Sequence, residues 1–317
     1  MPLSLTWIDH DPEARERSLR ILALFQEKES RDELGLGAIR DSFSDALFPG
    51  TSTIQTRLRY MLFVPWIYRH LENKRTLSHK FAATARNLEL SLTNHLLKED
   101  DHDGVFGRIA GKGLKRLPSS VYWSGLGAWG IRTINLSQDE YHRYIDRIYQ
   151  QRDIARKRQE RDDVPEYSTI TWHLRLPEPP EGFPENIMHL SFSLETDEAS
   201  FLQDMILKNQ KESLFTHLAR HCEPVECDFP WQHPDIKDFS DEQKELLRWA
   251  EIFSTIMHGA AFLYNLMLAE VSDRTELMED HRENLSEWKK RLNTIRYQDS
   301  DLEALWPLTM GRGHTIT

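Results

Sequence analysis

Cysteine is nearly absent: Cys222 and Cys227 are the only two in 317 residues. That excludes a disulfide framework and fits a reducing compartment. No unbroken run of about 18 apolar residues occurs, so no segment is expected to span a bilayer and no membrane partner is expected. The first residues, Met1 to Asp11, lack a basic stretch followed by an apolar one, so no signal peptide is read there and a cytoplasmic location is expected. The sequence holds no GxxxxGK[ST] loop, no HExxH, no GxSxG and no kinase motif set. The phosphate-cradling, zinc-protease and serine-hydrolase chemistries that need those spacings therefore have no signature here. No catalytic residue, metal or cofactor is assigned. Internal repeats and low-complexity segments are also lacking.

What is present is a chain able to bury a core. Hydrophobic residues make up 39%, and 9 Trp, 9 Tyr and 14 Phe are too many for a disordered chain. The net charge of −11 divides unevenly. Residues 1–161 hold 26 Lys+Arg against 21 Asp+Glu, a balance of +5; residues 162–317 hold 14 against 30, a balance of −16. Within the front half, 57–86 has seven bases against Glu72, and 108–161 has twelve against five acids. A chain split this way points to a polyanion met through its basic half, or else to solvated helix faces.

Helical periodicity dominates, and the fold class expected is mainly α. Asp11-Pro12 opens a predicted helix carrying Leu19, Leu22 and Phe25. A short helix follows around Ile39, Phe43 and Leu47, ended by Phe48-Pro49-Gly50. The next runs from Ile54 to about Val64, with Pro65 expected to kink or stop it before Trp66. Further helices are predicted over 78–98, 118–129, 138–160, 196–209, 212–221, from Ser240 for about 30 residues, and over 273–296. The helix after Ser240 is the most apolar and is the expected central core helix. Ile131-Arg132-Thr133-Ile134 reads as a strand; Thr169–Leu174 and Met188–Phe192 alternate and are expected to pair as a small β-hairpin near 168–194. The polar turn 99–104 and the Pro-rich stretch from 164 divide the chain into an N-terminal helical domain (1–103), a basic segment with a long helix (104–163) and an acidic helical domain (164–317).

Two basic patches suggest nucleic-acid contact. The first holds Arg57 and Arg59, with Arg69, Lys74 and Arg75 beyond. The second holds Arg108, Lys112, Lys115 and Arg116 ahead of Ser119 and Ser120, whose hydroxyls at a helix start can add phosphate bonds. A helix over 118–129 followed by Gly130 and a strand is compatible with a winged-helix-like element near 107–135. Arg152, Arg156, Lys157 and Arg158 at the end of the long helix extend the patch. The partners expected are DNA and a protein.

Other clusters have looser spacing. His217 and His221 lie one turn apart, and Cys222, Cys227 and His233 follow; this N/S set could hold zinc, but it matches no standard finger. Asp100, Asp101 and Asp103 lack the distal Glu of a calcium loop. His258 and Asn265 share a helix face near Glu270, either as an active-site ridge or as satisfied polar groups. Glu195, Asp197 and Asp204 are the carboxylates that a divergent metal-dependent nuclease would use.

Several phrases carry a resemblance: Phe48-Pro49-Gly50-Thr51-Ser52, Thr56-Arg57-Leu58-Arg59-Tyr60 with Val64-Pro65-Trp66, Leu117-Pro118-Ser119-Ser120-Val121-Tyr122-Trp123, and His258-Gly259-Ala260 with Tyr264-Asn265-Leu266. Together they resemble a bacterial domain-of-unknown-function family across about residues 36–270. The resemblance implies a bacterial cytoplasmic protein with genes near the helicases and nucleases of anti-phage defence islands. It supplies no catalytic residues. The function expected is a non-enzymatic accessory component that contacts DNA and docks a helicase or nuclease. The alternatives are a divergent nuclease and a protein–protein scaffold without nucleic-acid contact.

Overall fold

The structure, a computed structural model, describes residues 36–108, 111–159, 170–221 and 224–295. The predicted helix with Leu19, Leu22 and Phe25 lies outside them, as do Thr169, Cys222 and the side chains of Lys112 and Arg158. The chain divides into two units, residues 1–42 with 300–317 and residues 43–299. Apart from the first turns of α1, all the helices below belong to the second unit.

Nine α-helices are found among the described residues: α1 (Leu36–Leu47), α2 (Tyr60–Asn73), α3 (Ser78–Leu96), α4 (Pro118–Ala128), α5 (Gln138–Gln159), α6 (Thr196–Asn209), α7 (Leu214–His221), α8 (Asp241–Val271) and α9 (Thr275–Thr294). The mainly helical class is as expected. The β-hairpin is not: among the described residues there is no strand, only one antiparallel bridge, Arg132 with Trp172. Thr133 N–H donates to Thr171 O at 3.0 Å and His173 N–H to Ile131 O at 2.8 Å. The 171–173 segment thus meets 131–133, and 188–192 pairs with neither.

The core is built around α2, not α8. Nine consecutive residues, Tyr60 to Tyr68, are buried, with Leu71 and Glu72 beyond. A helix apolar all round must be enclosed on every side. The helices α3 and α4 pack on it, and α5 packs on α3. The remaining side is covered by the Pro-rich stretch 170–194. There Phe183 packs on Phe63 and Trp66, Phe192 on Tyr60 and Phe63, and Trp172 on Tyr68. Trp66 Nε1 donates to Pro177 O at 2.7 Å. Prolines that forbid a ladder are no handicap in a segment whose role is to plug aromatic side chains.

The expected break at Pro65 does not occur; Pro65 sits inside α2. Interior proline costs a helix about 3 kcal/mol, less than the burial of several large side chains at roughly 1.5–3 kcal/mol each. The start of α2 lies later than predicted because the preceding backbone bonds elsewhere. Thr56 and Arg57 N–H both donate to the Tyr122 hydroxyl (2.9 and 3.1 Å), and Thr56 Oγ1 donates to Gly104 O at 2.6 Å. Glycine is required at the corner before it. Gly50 has φ +78°, and a Cβ there would lie 2.6 Å from Trp129 Nε1, which itself donates to Pro49 O at 2.9 Å.

Both ends of α2 are tied by buried charge. Arg59 Nη2 pairs with Glu198 Oε1 at 2.6 Å, and Nη1 donates to Ser191 O at 2.9 Å. At the other end, Glu72 accepts from Tyr141, from Arg152 Nη2 at 2.6 Å, from Thr171 Oγ1 at 2.8 Å and from Trp172 Nε1 at 2.9 Å.

This placement of the core predicts a contrast. Phe63→Ala, at a fully buried site of α2, should cost about 3–5 kcal/mol. Met267→Ala, at an exposed site of α8, should stay within about 0.5 kcal/mol. Urea midpoints of the two variants measure the difference; equal losses would return the core to α8.

Candidate functional site

The basic residues of the first patch are largely neutralised within the fold. Arg57 reaches Asp101 at 2.7 Å and stacks its guanidinium over Phe192. Arg59 is buried against Glu198. Arg69 pairs with Glu178 at 2.9 Å, Lys74 with Glu185 at 2.7 Å and Arg75 with Asp153 at 2.7 Å. Three of these partners, Glu178, Glu185 and Glu198, come from the acidic half. Arg152 is held by Glu72. Arg59 and Arg152 are thus structural cations and do not form a phosphate-binding surface.

The second patch divides. Helix α4 is a core helix: Ser119, Val121, Tyr122, Trp123 and Leu126 are buried, and Ser119 is 0% exposed. It cannot enter a groove, and with no strand beside it the winged-helix-like element is not formed. Ser119 N–H and Oγ both donate to Glu89, at 2.8 and 2.7 Å. Ser120 is exposed, but its hydroxyl donates to Leu117 O at 2.8 Å. Lys115 and Arg116 are exposed, and neither has an ion pair among the described residues. Arg108 is exposed and only 3.6 Å from Asp103. Arg156 and Lys157 are exposed near the end of α5.

The remaining clusters resolve differently. Among the described residues no three His, Cys, Asp or Glu side chains converge as a metal site. The His217 and His221 ring centroids lie 4.5 Å apart with the rings tilted by 38°, and His217 and His233 both pack on Phe239, while Cys227 is exposed and free. Glu195 caps α6 in a reciprocal box with Glu198, and Asp204 pairs with Arg175 at 3.0 Å. The three nuclease-like carboxylates therefore do not form one centre.

A polar chain crosses the core. Glu89, fully enclosed, accepts from Ser119; Gln138 Nε2 donates to Ser119 Oγ and to the Tyr68 hydroxyl, both at 2.7 Å; that hydroxyl lies 3.0 Å from His142 Nε2. His142 lines an open cleft of about 550 Å³ with Ser78, His79, Asp139 and Arg143. Burial pushes the Glu89 carboxyl up to about 7 and the His142 imidazole down. The chain braces α2, α3, α4 and α5 and reaches the cleft at His142.

The least expected surface is on α8. Its apolar residues follow the spacing Ile256, Ala260, Leu263, Met267, the 4-3-4 steps of a heptad seam, with Tyr264, Leu268 and Val271 alongside. They point outward: Leu263 is 49% exposed, Tyr264 62%, Met267 55% and Val271 88%. Phe253, earlier on this stripe, is covered by Phe43 of α1 at 5.9 Å; the rest is open. An 18-residue window of α8 has mean hydropathy 1.4 with only 28% buried, so by length and composition this one helix among those described could cross a bilayer. His258 and Asn265 interrupt the apolar run within it, which is why an unbroken-run criterion passes it over. Its other side packs on the charged helix α9, and Glu270 meets Arg282 at 3.3 Å. A helix apolar on several sides read as core in the sequence; the heptad spacing was the signal available to mark an outward seam.

The raised Glu89 carboxyl sets a pH dependence. Between its ordinary value of 4.5 and about 7, the folded state keeps a proton that the unfolded chain has lost. Stability therefore falls as pH rises through that window. Depressed imidazoles such as His142 act in the opposite sense, so the comparison is with a variant. Relative to the natural chain, Glu89→Gln should gain stability between pH 5 and 8, by up to about 3 kcal/mol. Urea midpoints at each pH read it, and parallel curves would refute it.

Comparison with curated proteins and with solved structures returned no match. The model of a family of unknown function (DUF6361) matches residues 3–317, nearly the whole length, and the chain belongs to that family.

Proposed function

We propose that this protein is a non-enzymatic accessory component that docks a partner protein through the outward seam of α8. The exposed stripe from Ile256 to Val271 carries this reading. Large contiguous apolar patches on a folded surface mark interaction sites, and a heptad seam is the form that accepts another helix. The partner's chemistry follows from the charge of the chain that directly continues the seam. Segment 270–283 carries Glu270, Asp273, Glu276, Glu279, Asp280 and Glu283 against Arg274 and Arg282. The complementary occupant is an amphipathic helix with basic flanks. A helicase or nuclease of an anti-phage defence system, in the bacterial cytoplasm, is the partner class this proposal retains.

The probe is a synthetic 21-residue helix patterned with Leu and Lys, compared with its Leu/Glu counterpart. The Lys peptide should bind the full chain at least tenfold more tightly by fluorescence anisotropy. The pair Leu263→Ser and Met267→Ser, both exposed, should weaken it at least tenfold without shifting the melting curve. Equal binding of the two peptides overturns the proposal. So does self-association through the seam, seen as a doubled mass that the pair abolishes, or insertion of the chain into neutral vesicles.

A second reading, DNA contact, is favoured by the exposed and unpaired Lys115 and Arg116 with Arg108 beside them. Three phosphate contacts give a slope of log K against log salt of about −3, and Lys115→Ala with Arg116→Ala should reduce its magnitude by about 2. Titration of a duplex at several salt concentrations measures the slope; an unchanged slope removes this loop from any DNA interface.

A further inference from the structure

The crevice between α8 and α9 mixes aromatic rings with polar side chains where two packed helices ordinarily bury aliphatic ones. On α8, Thr255, His258 and Phe262 fall at i, i+3 and i+7; on α9, Asn284, Glu287, Trp288 and Arg291 fall at i, i+3, i+4 and i+7. Each set is one helix face. With Phe229 they enclose a cavity of about 270 Å³. It lies on a different side of α8 from the apolar seam.

Its aromatic walls are fixed. Trp288 Nε1 donates to Thr255 O at 2.6 Å, so the indole offers only its ring. Gly259 admits that ring: a Cβ there would collide with it. Phe229 is stacked on Trp231, with ring centroids 4.8 Å apart and 4° between planes. Of the polar groups, Asn284 and Glu287 are the least committed. Among the described residues, Asn284 and Glu287 make no side-chain hydrogen bond. His258 has a 3.4 Å contact to Ser254 and stacks on Phe262, with ring centroids 6.2 Å apart; Arg291 has a 3.7 Å ion pair with Glu251 and lies over the Phe229 ring, 5.5 Å from its centroid.

We infer that this cavity is a binding site for a purine base. Phe229 is already covered by Trp231 and Arg291, so the Trp288 ring is the stacking wall; it calls for a flat aromatic ligand, since bases stack on such side chains whatever their sequence. The open amide and carboxylate call for one with donors and acceptors along its edge, and an Asn amide matches adenine N6 and N7 in bidentate fashion. Charge excludes the simpler alternatives: a lone cation would meet Arg291 and a lone anion Glu287. The volume lies just below the roughly 300–1,000 Å³ of ordinary ligand pockets. It holds a base and leaves sugar and phosphate at the mouth. Such a base arrives on a free nucleotide or on an unstacked single strand.

Calorimetric titration of the full chain with AMP, GMP, CMP and UMP tests the site. The purine nucleotides should bind at least tenfold more tightly than the pyrimidines. Asn284→Leu and Glu287→Leu, both at exposed positions, should each weaken purine binding at least tenfold with melting curves unchanged. The paired Leu263→Ser and Met267→Ser substitutions should leave it unaltered, which separates this site from the docking seam. Labelled dA10 against AMP distinguishes the sources: a strand affinity more than tenfold higher assigns the base to single-stranded nucleic acid, and equal affinity to free nucleotide. Absence of purine binding, equal binding of pyrimidines, or indifference to both variants overturns the inference.

Discussion

Desolvation of α2 constrains everything around it. Nine successive buried residues leave the helix no solvent side, so other segments must close over it all round. The polar groups that enter with it must find partners, because a buried charge left single costs several kcal/mol. Arg59 finds Glu198 and Ser191; Glu72 finds Tyr141, Arg152, Thr171 and Trp172. These requirements draw basic residues of the front half and acidic residues of the rear half into one unit. The charge asymmetry visible along the sequence is thereby partly cancelled in space.

The same constraint explains which parts of the fold were legible in the sequence. Helices with local signals were readable: Ser240 with Gln243 caps α8, Pro118 opens α4, and Ser137 precedes α5. Helix α2 was not, because Pro65 is a local stop signal and its burial is a tertiary fact. The alternating residues 169–174 and 188–192 resembled strands because aromatic plugs also alternate. Only knowledge of what lay beneath them, the aromatic face of α2, distinguishes a plug from a ladder.

The candidate sites were legible in reverse proportion to their dependence on partners. Net charge could be counted, but whether Arg59 meets solvent or Glu198, 139 positions away, is invisible in composition. Lys115 and Arg116 remain exposed, and among the described residues no acidic side chain pairs with either. His258 stood out in the sequence as a polar residue on an apolar helix, and it does line a cavity. Its companions Asn284, Glu287 and Trp288 lie on the helix predicted over 273–296, where no motif marks them. Helix α8 carries aliphatic side chains on two sides: Leu247, Ile252, Leu266 and Ala269 are buried, while Leu263, Met267 and Val271 face outward.

The long reach of the bonds to α2 has a consequence during synthesis. Trp66 waits for Pro177, 111 residues later, and Arg59 for Glu198. At roughly 5–20 residues per second, a ribosome has released the aromatic helix many seconds before its cover exists. Through that interval the nascent chain displays its stickiest segment, which makes α2 the place where a holdase chaperone would engage and where slowed elongation would promote aggregation.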